Sequence, residues 1–172
     1  DLPADEGIAA RTDRFFEADL EQGLPDAVGN GYEVVIAADV IEHVRDPDDL
    51  LVDLAGRMAN TGMIVASVPN FGHWYPRGRV AIGRFDYDQR GPLDQGHVRF
   101  FTRRSFERLV TANGLRIVAR DTVGSPVDVL ARGREDTTVG SVAPGTSPAD
   151  RVAPRVWPTL FGYQFLYVLE RV

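Results

Sequence analysis

The stretch YEVVIAADVIEHV (residues 32–44) decides the fold class of this chain. It opens with an almost unbroken apolar run, rich in β-branched side chains, that ends at Ala38. Gly31 and Asp39 bound this run. A short continuous apolar run between such residues is typical of a strand that is buried on both faces of a parallel sheet. We therefore predict a buried strand over residues 32–38, with its carboxyl end at Asp39.

A helix and a second strand are predicted directly after this stretch. Asp46 is a good N-cap residue, and Pro47 suits the first helical position. Leucines beyond them recur on one face at helical spacing, and we expect Asn60 and Gly62 to end the helix. The apolar run 63–68 then predicts a second buried strand. A strand–helix–strand unit of this length fits a right-handed parallel crossover.

The rest of the chain continues the alternation of strands and helices. Thr102 begins a helix that Asn113 and Gly114 end, and residues 115–123 follow as a strand. A helix interrupted by prolines and a final apolar strand close the chain. We also predict a short strand over residues 14–18. Together these elements indicate an α/β fold with a mainly parallel sheet.

Two stretches have little regular pattern. Residues 70–96 are rich in aromatic side chains, Arg and Gly, with a short helix expected over residues 76–82. A stretch this long between core elements is more often functional than filler, so we interpret it as a substrate-side insertion. Residues 124–147 are rich in Gly, Ser, Thr, Pro and charge and are expected to form a mobile loop. We assign residues 1–172 to a single domain.

The composition is that of a globular intracellular protein. Hydrophobic residues make up 44% of the 172 residues and charged residues 26%, which excludes disordered and fibrous classes. No apolar run approaches the ~20 residues that a bilayer requires, and the acidic start has no signal-peptide pattern. The net charge of -6 argues against a general nucleic-acid-binding surface. The absence of Cys excludes disulfides and fits a cytoplasmic location.

Candidate functional residues gather just beyond the predicted strands. In open α/β sheets, ligands bind outside the carboxyl ends of the strands. All the histidines fall on or near this edge, together with polar and aromatic neighbours. The candidates are Asp19, Leu20, Asp39, Val40, His43, Asn70, His73, Trp74, Tyr75 and His97.

Five segments, in order, resemble class I S-adenosylmethionine-dependent methyltransferases. Residues 32–44 resemble the fourth strand and following loop of that family, and EADLEQGLP (17–25) resembles the end of its third strand. ASVPNFGHW (66–74) resembles the fifth strand and its exit, and HVRFFTRRSFERLVTANGL (97–115) is similar to the next helix. GYQFLYVLER (162–171) looks like the last, antiparallel strand. The resemblance implies a Rossmann-like, mainly parallel sheet with a last antiparallel strand.

The resemblance begins only at the third strand of the family. The family has a glycine-rich turn after its first strand, where the backbone approaches the cofactor closely. An acid at the end of its second strand holds the ribose hydroxyls. No segment ahead of Asp19 matches the glycine-rich turn, and Asp1, a helix-length ahead of Asp19, is the alternative left for the ribose acid or its neighbour. We therefore expect a fold that lacks the first strands, has an incomplete cofactor site and exposes apolar edges, with a homodimer or a fusion to another enzyme domain as its assembly.

The resemblance also implies a set of cofactor-binding residues. Asp19 matches the acid that meets the adenine amino group of S-adenosylmethionine. Leu20, Asp39 and Val40 line the same edge and complete the cofactor-binding candidates. Asn70, His73, Trp74 and Tyr75 are the substrate-binding candidates, although His73 and the aromatic pair beside it also fit ordinary packing.

Two histidines are the catalytic candidates. A hydroxyl acceptor must lose its proton, and an imidazole that titrates near neutrality is suited to take it. His43 and His97 are the candidates for this role. The alternative for His43 is a structural hydrogen bond, and the alternative for His97 is local capping of the helix that follows. Glu42 is expected to be solvated or to pair with Arg45. The spacing of His and carboxylate residues matches no metal-ligand motif, so no metal is predicted.

We predict an enzyme that transfers the methyl group of S-adenosylmethionine to a small-molecule or glycan-precursor acceptor, at a hydroxyl. The alternative is a truncated methyltransferase fold without activity that serves assembly or interaction. A dinucleotide-binding oxidoreductase shares the sheet but gives no reason for the string DVIEHV.

Overall fold

The computed structural model describes residues 12–89, 91–124 and 148–172. Residues 125–147, most of the stretch predicted to be a mobile loop, lie outside these ranges.

A four-stranded sheet forms the centre of the molecule, with the strand order β1-β2-β4-β3. The strands are β1 (Tyr32–Ala38), β2 (Met58–Pro69), β3 (Leu115–Gly124) and β4 (Gly162–Arg171). β1 is parallel to β2, and β4 lies antiparallel between β2 and β3. Three strands therefore share one direction and the last strand opposes them, which confirms the predicted Rossmann-like sheet.

Five helices and three 3₁₀ turns surround the sheet in the described ranges. The helices are α1 (Pro47–Arg57), α2 (Trp74–Ala81), α3 (Arg103–Ala112), α4 (Pro148–Val156) and α5 (Pro158–Phe161). The 3₁₀ turns are Leu20–Gln22, Asp26–Val28 and Ile41–His43. None of the helices in the described parts of the chain is long and apolar enough to cross a membrane.

The helices begin where the capping residues predict. Asp46 accepts a hydrogen bond from the N–H of Asp49 at 3.3 Å, directly before α1. Thr102 and Ser105 form a reciprocal capping box at the start of α3. Such a cap is worth about 1 kcal/mol because it satisfies N–H groups that have no partner in the helix. These local signals confirm both helix starts.

The core lies on one face of the sheet. Ala37, Ile64 and Ala66 point into it from β1 and β2, and they meet Leu51 of α1 and Phe106 of α3. Each large apolar side chain that is buried in this way contributes about 1.5–3 kcal/mol. α1 packs against β1 and β2, and α3 packs against β3.

The opposite face of β1 is open, which corrects the prediction of a strand buried on both sides. Val34 is 49% exposed and Ile36 70% exposed. β1 is the edge strand of the sheet, and no helix of the described ranges packs over these side chains. The apolar run correctly predicts a strand, but no helix of the described ranges packs on the face of β1 that carries Val34 and Ile36.

Residues 14–18 do not form the predicted strand. An extended segment becomes a strand only when another strand supplies its hydrogen bonds. In the described structure residues 14–18 pair with no strand, and β1 pairs with β2 alone.

The end of α1 differs from the prediction. The helix ends at Arg57, and β2 begins at Met58, so Asn60 and Gly62 lie inside the strand. The pairing of β1 with β2 shifts register in this region. A side chain at position 62 would place its Cβ 2.6 Å from the carbonyl oxygen of Tyr32, so only Gly allows this close approach.

Candidate functional site

The loop after β1 is fastened to its neighbouring strands through Asp39. This residue has φ of 53°, which is uncommon for a residue other than Gly. Its N–H donates to Oγ of Ser67 at 3.1 Å, and its carboxylate accepts from the same hydroxyl at 3.0 Å. The side-chain amide of Gln164 also donates to the carboxylate. Asp39 is therefore held at the edge where β1 and β2 end and β4 begins.

The 3₁₀ turn Ile41–His43 directs Glu42 into the protein. Ile41 enters the core, and only 1% of the surface of Glu42 is exposed. The backbone carbonyl of Glu42 accepts from the N–H groups of Val98 and Arg99, at 2.9 and 3.0 Å. These bonds fix residues 97–99 against the turn. The expectation that Glu42 is solvated or pairs with Arg45 is wrong, because the turn points its side chain inward.

His43 and His97 come together although they are far apart in the chain. Their ring centroids lie 4.9 Å apart, and the ring planes are inclined at 69°. Nδ1 of His43 lies 2.9 Å from the carbonyl oxygen of Gly96. Because a carbonyl only accepts, Nδ1 carries the hydrogen and Nε2 keeps its lone pair. Nδ1 of His97 is buried and has no hydrogen-bond partner.

Burial and neighbouring charges shift the titration of this cluster. Burial raises the pKa of Glu42 to about 7, and the charge of Asp39 acts in the same direction. Burial lowers the pKa of His97, and the neighbouring His43 lowers it further. Both shifts follow from the cost of placing a charge away from water. Near neutral pH the imidazole of His97 is therefore uncharged and able to accept a proton or bind a cation.

Asp19 and Leu20 lie at the same edge of the molecule. The carboxylate of Asp19 caps the first 3₁₀ turn and accepts from the N–H of Glu21 and from the side chain of Gln22, both at 3.1 Å. Glu21 in turn accepts from the N–H of Arg45 at 2.9 Å, which joins this segment to the loop that follows β1. Leu20 and Val40 both pack against the core.

These residues suit the adenine end of an adenosyl group. The carboxylate of Asp19 is exposed and has lone pairs beyond the two bonds that it already accepts, so it can take a hydrogen bond from an amino group. Leu20 and Val40 provide an apolar surface for a flat ring.

Asn70 holds the exit of β2 in place. Its side-chain amide donates to the carbonyl oxygens of Gly162 and Thr159, at 2.7 and 3.2 Å. Its Oδ1 accepts from the N–H of Gly72 at 2.8 Å. Asn70 is fully buried, as is His73, whose Nδ1 accepts from the N–H of Tyr75 at the start of α2. Both side chains therefore shape the turn from beneath.

Trp74 and Tyr75 lie on the outer side of this turn. Trp74 is exposed, whereas the hydroxyl of Tyr75 donates to Asp88 at 2.9 Å. Arg79 donates to the same hydroxyl at 2.9 Å and forms an ion pair with Asp88 at 2.7 Å. Burial, followed by the bond to Asp88, raises the pKa of Tyr75. This network ties α2 to the loop that follows it.

An aromatic wall extends from His97 across the outer side of the site. It consists of four rings, each within 5.1–6.3 Å of at least one other, between centroids. His97 joins the wall through Phe100, 6.3 Å away. The members of the wall are Phe71, Phe85, Tyr87 and Phe100.

The structure brings most of the predicted residues to one edge. Asp39, Val40, His43 and His97 meet there, and Asp19 approaches through the bond between Glu21 and Arg45. Residues that the sequence did not single out are Glu42, Asp88 and Phe100. For Asp88 and Phe100, the only indication of a functional region nearby was the aromatic content of residues 70–96. No local signal predicts that Glu42 is buried.

The sequence also matches a known family. Residues 2–120 fit the model of a methyltransferase domain, which is more than half of the 172 residues. No curated protein matches the sequence. The chain belongs to the methyltransferase domain family, and S-adenosylmethionine is the cofactor of this class of enzyme.

Solved structures of methyltransferases share the fold. A SAM-dependent methyltransferase from Archaeoglobus fulgidus superposes with a TM-score of 0.54 at 18% identity, over 98% of this chain and 73% of that chain. A SAM-dependent methyltransferase from Thermotoga maritima gives a TM-score of 0.50 at 12% identity, over 88% of this chain and 60% of that chain. At these identities the likeness establishes the fold, and this chain spans only part of each relative.

Proposed function

We propose that this protein transfers the methyl group of S-adenosylmethionine to a hydroxyl of a small molecule or glycan precursor. The supporting observation is the position of the His43–His97 pair. It lies between the adenine-side residues and the aromatic wall, at the carboxyl edge of the sheet. A methyl donor and an acceptor that meet at this edge would face the two imidazoles.

The adenosyl group lies on the surface formed by Asp19, Leu20, Asp39 and Val40 in this proposal. Asp19 accepts a hydrogen bond from the adenine amino group. Asp39 is fixed by Ser67 and Gln164, so the loop that it begins presents Val40 in a constant position. The cofactor supplies a methyl group that is already electrophilic on its sulfonium.

The acceptor lies between Trp74, the aromatic wall and the histidine pair. Aromatic rings that line a pocket bind flat apolar faces, while a few polar groups fix the orientation of the ligand. Alignment of the hydroxyl oxygen with the sulfonium methyl is the main requirement of the reaction. The hydroxyl proton leaves toward the cluster of His43 and His97, whose lone pairs are directed by the bond to Gly96 and by burial.

Calorimetry with S-adenosylmethionine tests the cofactor part of this proposal. We expect Asp19→Ala to weaken binding by about tenfold or more, because a hydrogen bond to a charged group contributes about 1.5–3 kcal/mol. Asp13→Ala is the matched control, since it removes an exposed carboxylate from the same segment and should leave binding unchanged. Equal binding by Asp19→Ala and the parent chain would remove Asp19 from the site.

Transfer itself is measured with a radiolabelled methyl donor. Hydroxyl-bearing aromatic compounds, sugars and sugar nucleotides serve as acceptors, and amine analogues of the same compounds serve as the comparison. We expect label on the hydroxyl acceptors, with kcat reduced by 10²–10⁴-fold in His97→Gln, the range of a lost acid–base contribution. Label that appears only on amines would contradict the assignment of a hydroxyl.

A further inference from the structure

Glu42, His43 and His97 form a cluster that the sequence did not predict as a metal site. One potential ligand atom from each residue lies within 4.8 Å of the others. We propose that these three side chains bind a divalent transition-metal cation. The cluster combines one buried, one half-buried and one exposed residue, so an ion can enter from the side of His43.

The carboxylate of Glu42 is the strongest reason for a cation. Both of its oxygens are buried, and neither has a hydrogen-bond partner. No Arg of the described ranges forms an ion pair with it. Buried carboxylates are retained in proteins when they are paired or when they coordinate a metal. A cation would provide the partner that the protein does not.

Each of the two histidines can contribute a ring nitrogen to the cluster. The Nδ1–H of His43 donates to the Gly96 carbonyl, which leaves Nε2 as the free donor atom. A backbone carbonyl in this position is typical of the second shell of a metal-bound histidine, because it fixes the tautomer and the ring. Nδ1 of His97 is buried without a partner, so a second imidazole lone pair is available beside the carboxylate.

The backbone around the cluster holds these groups together. The N–H groups of Val98 and Arg99 both donate to the carbonyl of Glu42, which locks the two segments side by side. The carbonyl oxygen of Gly96 lies 2.9 Å from Nδ1 of His43, which fixes the ring of His43 against this segment. The cluster is therefore fixed by the fold and does not depend on a ligand to assemble.

The surrounding charges favour a cation. The negative charges of Asp39 and Asp94 both act on the cluster, that of Asp39 on Glu42 and His97 and that of Asp94 on His97. Both carboxylates already have donors of their own, Ser67 for Asp39 and the N–H of Gly96 for Asp94. They contribute negative potential around the cluster.

The donor set indicates the kind of ion. Two imidazoles and one carboxylate suit Mn²⁺, Fe²⁺, Co²⁺ or Zn²⁺, whereas Mg²⁺ and Ca²⁺ prefer oxygen ligands throughout. Three protein ligands leave positions open for water or for an oxygen of the acceptor. A hydroxyl bound there loses its proton more easily.

The part of the ion in the reaction rests on the proposed function, whereas its binding does not. In the reaction, the acceptor oxygen forms the new bond to the methyl carbon and gives up its proton to solvent. The sulfur keeps the electron pair of the broken bond and becomes a thioether. With an ion bound, the imidazoles would act as its ligands in place of the proton acceptors of the metal-free reaction, and the cation would make a hydroxyl beside it easier to deprotonate.

Metal binding is tested directly on the chelator-treated full chain. Mn²⁺ is titrated with detection of the free ion by electron paramagnetic resonance, and Zn²⁺ is titrated by calorimetry. We expect one ion per chain and at least tenfold weaker binding in Glu42→Gln and in His97→Gln. Glu33→Gln, which changes an exposed carboxylate on β1, is the matched control and should bind as the parent chain does.

Thermal unfolding separates loss of ligands from loss of fold. Zn²⁺ should raise the Tm of the parent chain and of Glu33→Gln but not of Glu42→Gln, whose isosteric amide removes only the buried charge. If Glu42→Gln does not fold, His43→Gln and His97→Gln provide the same comparison. Absence of one-to-one binding, or equal binding by the parent and the cluster variants, overturns the inference.

The two proposals fail in different ways. One-to-one metal binding without methyl transfer would leave the metal site standing and contradict the proposed function. Methyl transfer that is unaffected by chelators, together with no metal binding, would keep the function and remove the metal.

Discussion

A single residue, His73, illustrates how burial sets protonation in this protein. Only 1% of its surface is exposed, and its Nε2 is buried without a hydrogen-bond partner. Burial lowers the pKa of His73 to about 4, because the imidazolium form loses its hydration. Its other nitrogen accepts from the N–H of Tyr75 and so caps α2. A neutral histidine is therefore part of the turn between β2 and the aromatic residues.

We expect the contribution of His73 to the free energy of unfolding, measured as the difference between the parent and a His73 variant, to decrease as pH falls from about 6.5 to about 4. The unfolded chain takes up a proton at His73 near pH 6.5, whereas the folded chain does so only near its lowered pKa. The full effect is at most about 3 kcal/mol. His73→Asn keeps a capping oxygen and should remove this part of the pH dependence. Urea denaturation at a series of pH values checks it, and an unchanged slope in the variant would contradict it.

The sequence predicts two residues of the Glu42–His43–His97 cluster but not the third. His43 and His97 were recognised because they lie near predicted strand ends. Glu42 was not, because its burial depends on a 3₁₀ turn and on the distant residues 97–99 that cover it. The proposed metal ligands also have no recognisable spacing in the sequence, because His97 lies more than fifty positions from Glu42 and His43.

The end of β2 is joined to the start of β4 by hydrogen bonds of Asn70. Asn70 lies at the end of β2, and its side chain joins that end to the start of β4 through the carbonyl oxygen of Gly162. The backbone N–H of Asn70 also donates to the carbonyl of Tyr163 at 2.9 Å. The turn that positions Trp74 and Tyr75 is thus held by a strand from the far end of the chain.

Asn70→Ala should destabilise the fold by roughly 2–3 kcal/mol, because it leaves buried carbonyl and N–H groups without partners. Asn60→Ala is the control, since Asn60 is exposed and its loss should change stability by less than about 0.5 kcal/mol. Chemical denaturation measures both variants. Equal stability of the two would show that the turn does not depend on this side chain.

Elements with local signals were predicted well, and elements that depend on distant partners were not. Asp46 and Thr102 start their helices because each cap acts within one turn. The segment 14–18 has the composition of a strand but pairs with no strand in the described structure. The early start of β2 at Met58 follows from its pairing with Tyr32, which no local pattern contains.

One face of the edge strand β1 carries exposed apolar side chains. Tyr32, Val34 and Ile36 expose apolar surface at an edge of the sheet that pairs with no further strand in the described ranges. Such an edge promotes pairing with another chain, and charged side chains are the usual protection against it. The predicted assembly as a homodimer remains a prediction.

We expect the purified chain to self-associate and Ile36→Lys to weaken this by at least tenfold. A lysine on the open face hinders apolar contact there without disturbing the core. Val52→Lys changes another exposed β-branched side chain, on α1, and serves as the control. Sedimentation velocity across a range of concentrations measures both. Association that is the same in Ile36→Lys as in the parent would exclude this face as the contact.

The place of β4 in the sheet has a consequence for protein synthesis. It is the last of the four strands to be translated, yet it lies between β2 and β3 and provides both with their hydrogen bonds. Until β4 has emerged from the ribosome, the nascent chain cannot form the pairings of β4 with β2 and β3, and the sheet stays incomplete. The sheet closes only after β4 has been translated, so a product that stops before β4 stays accessible to chaperones and proteases and has no assembled site.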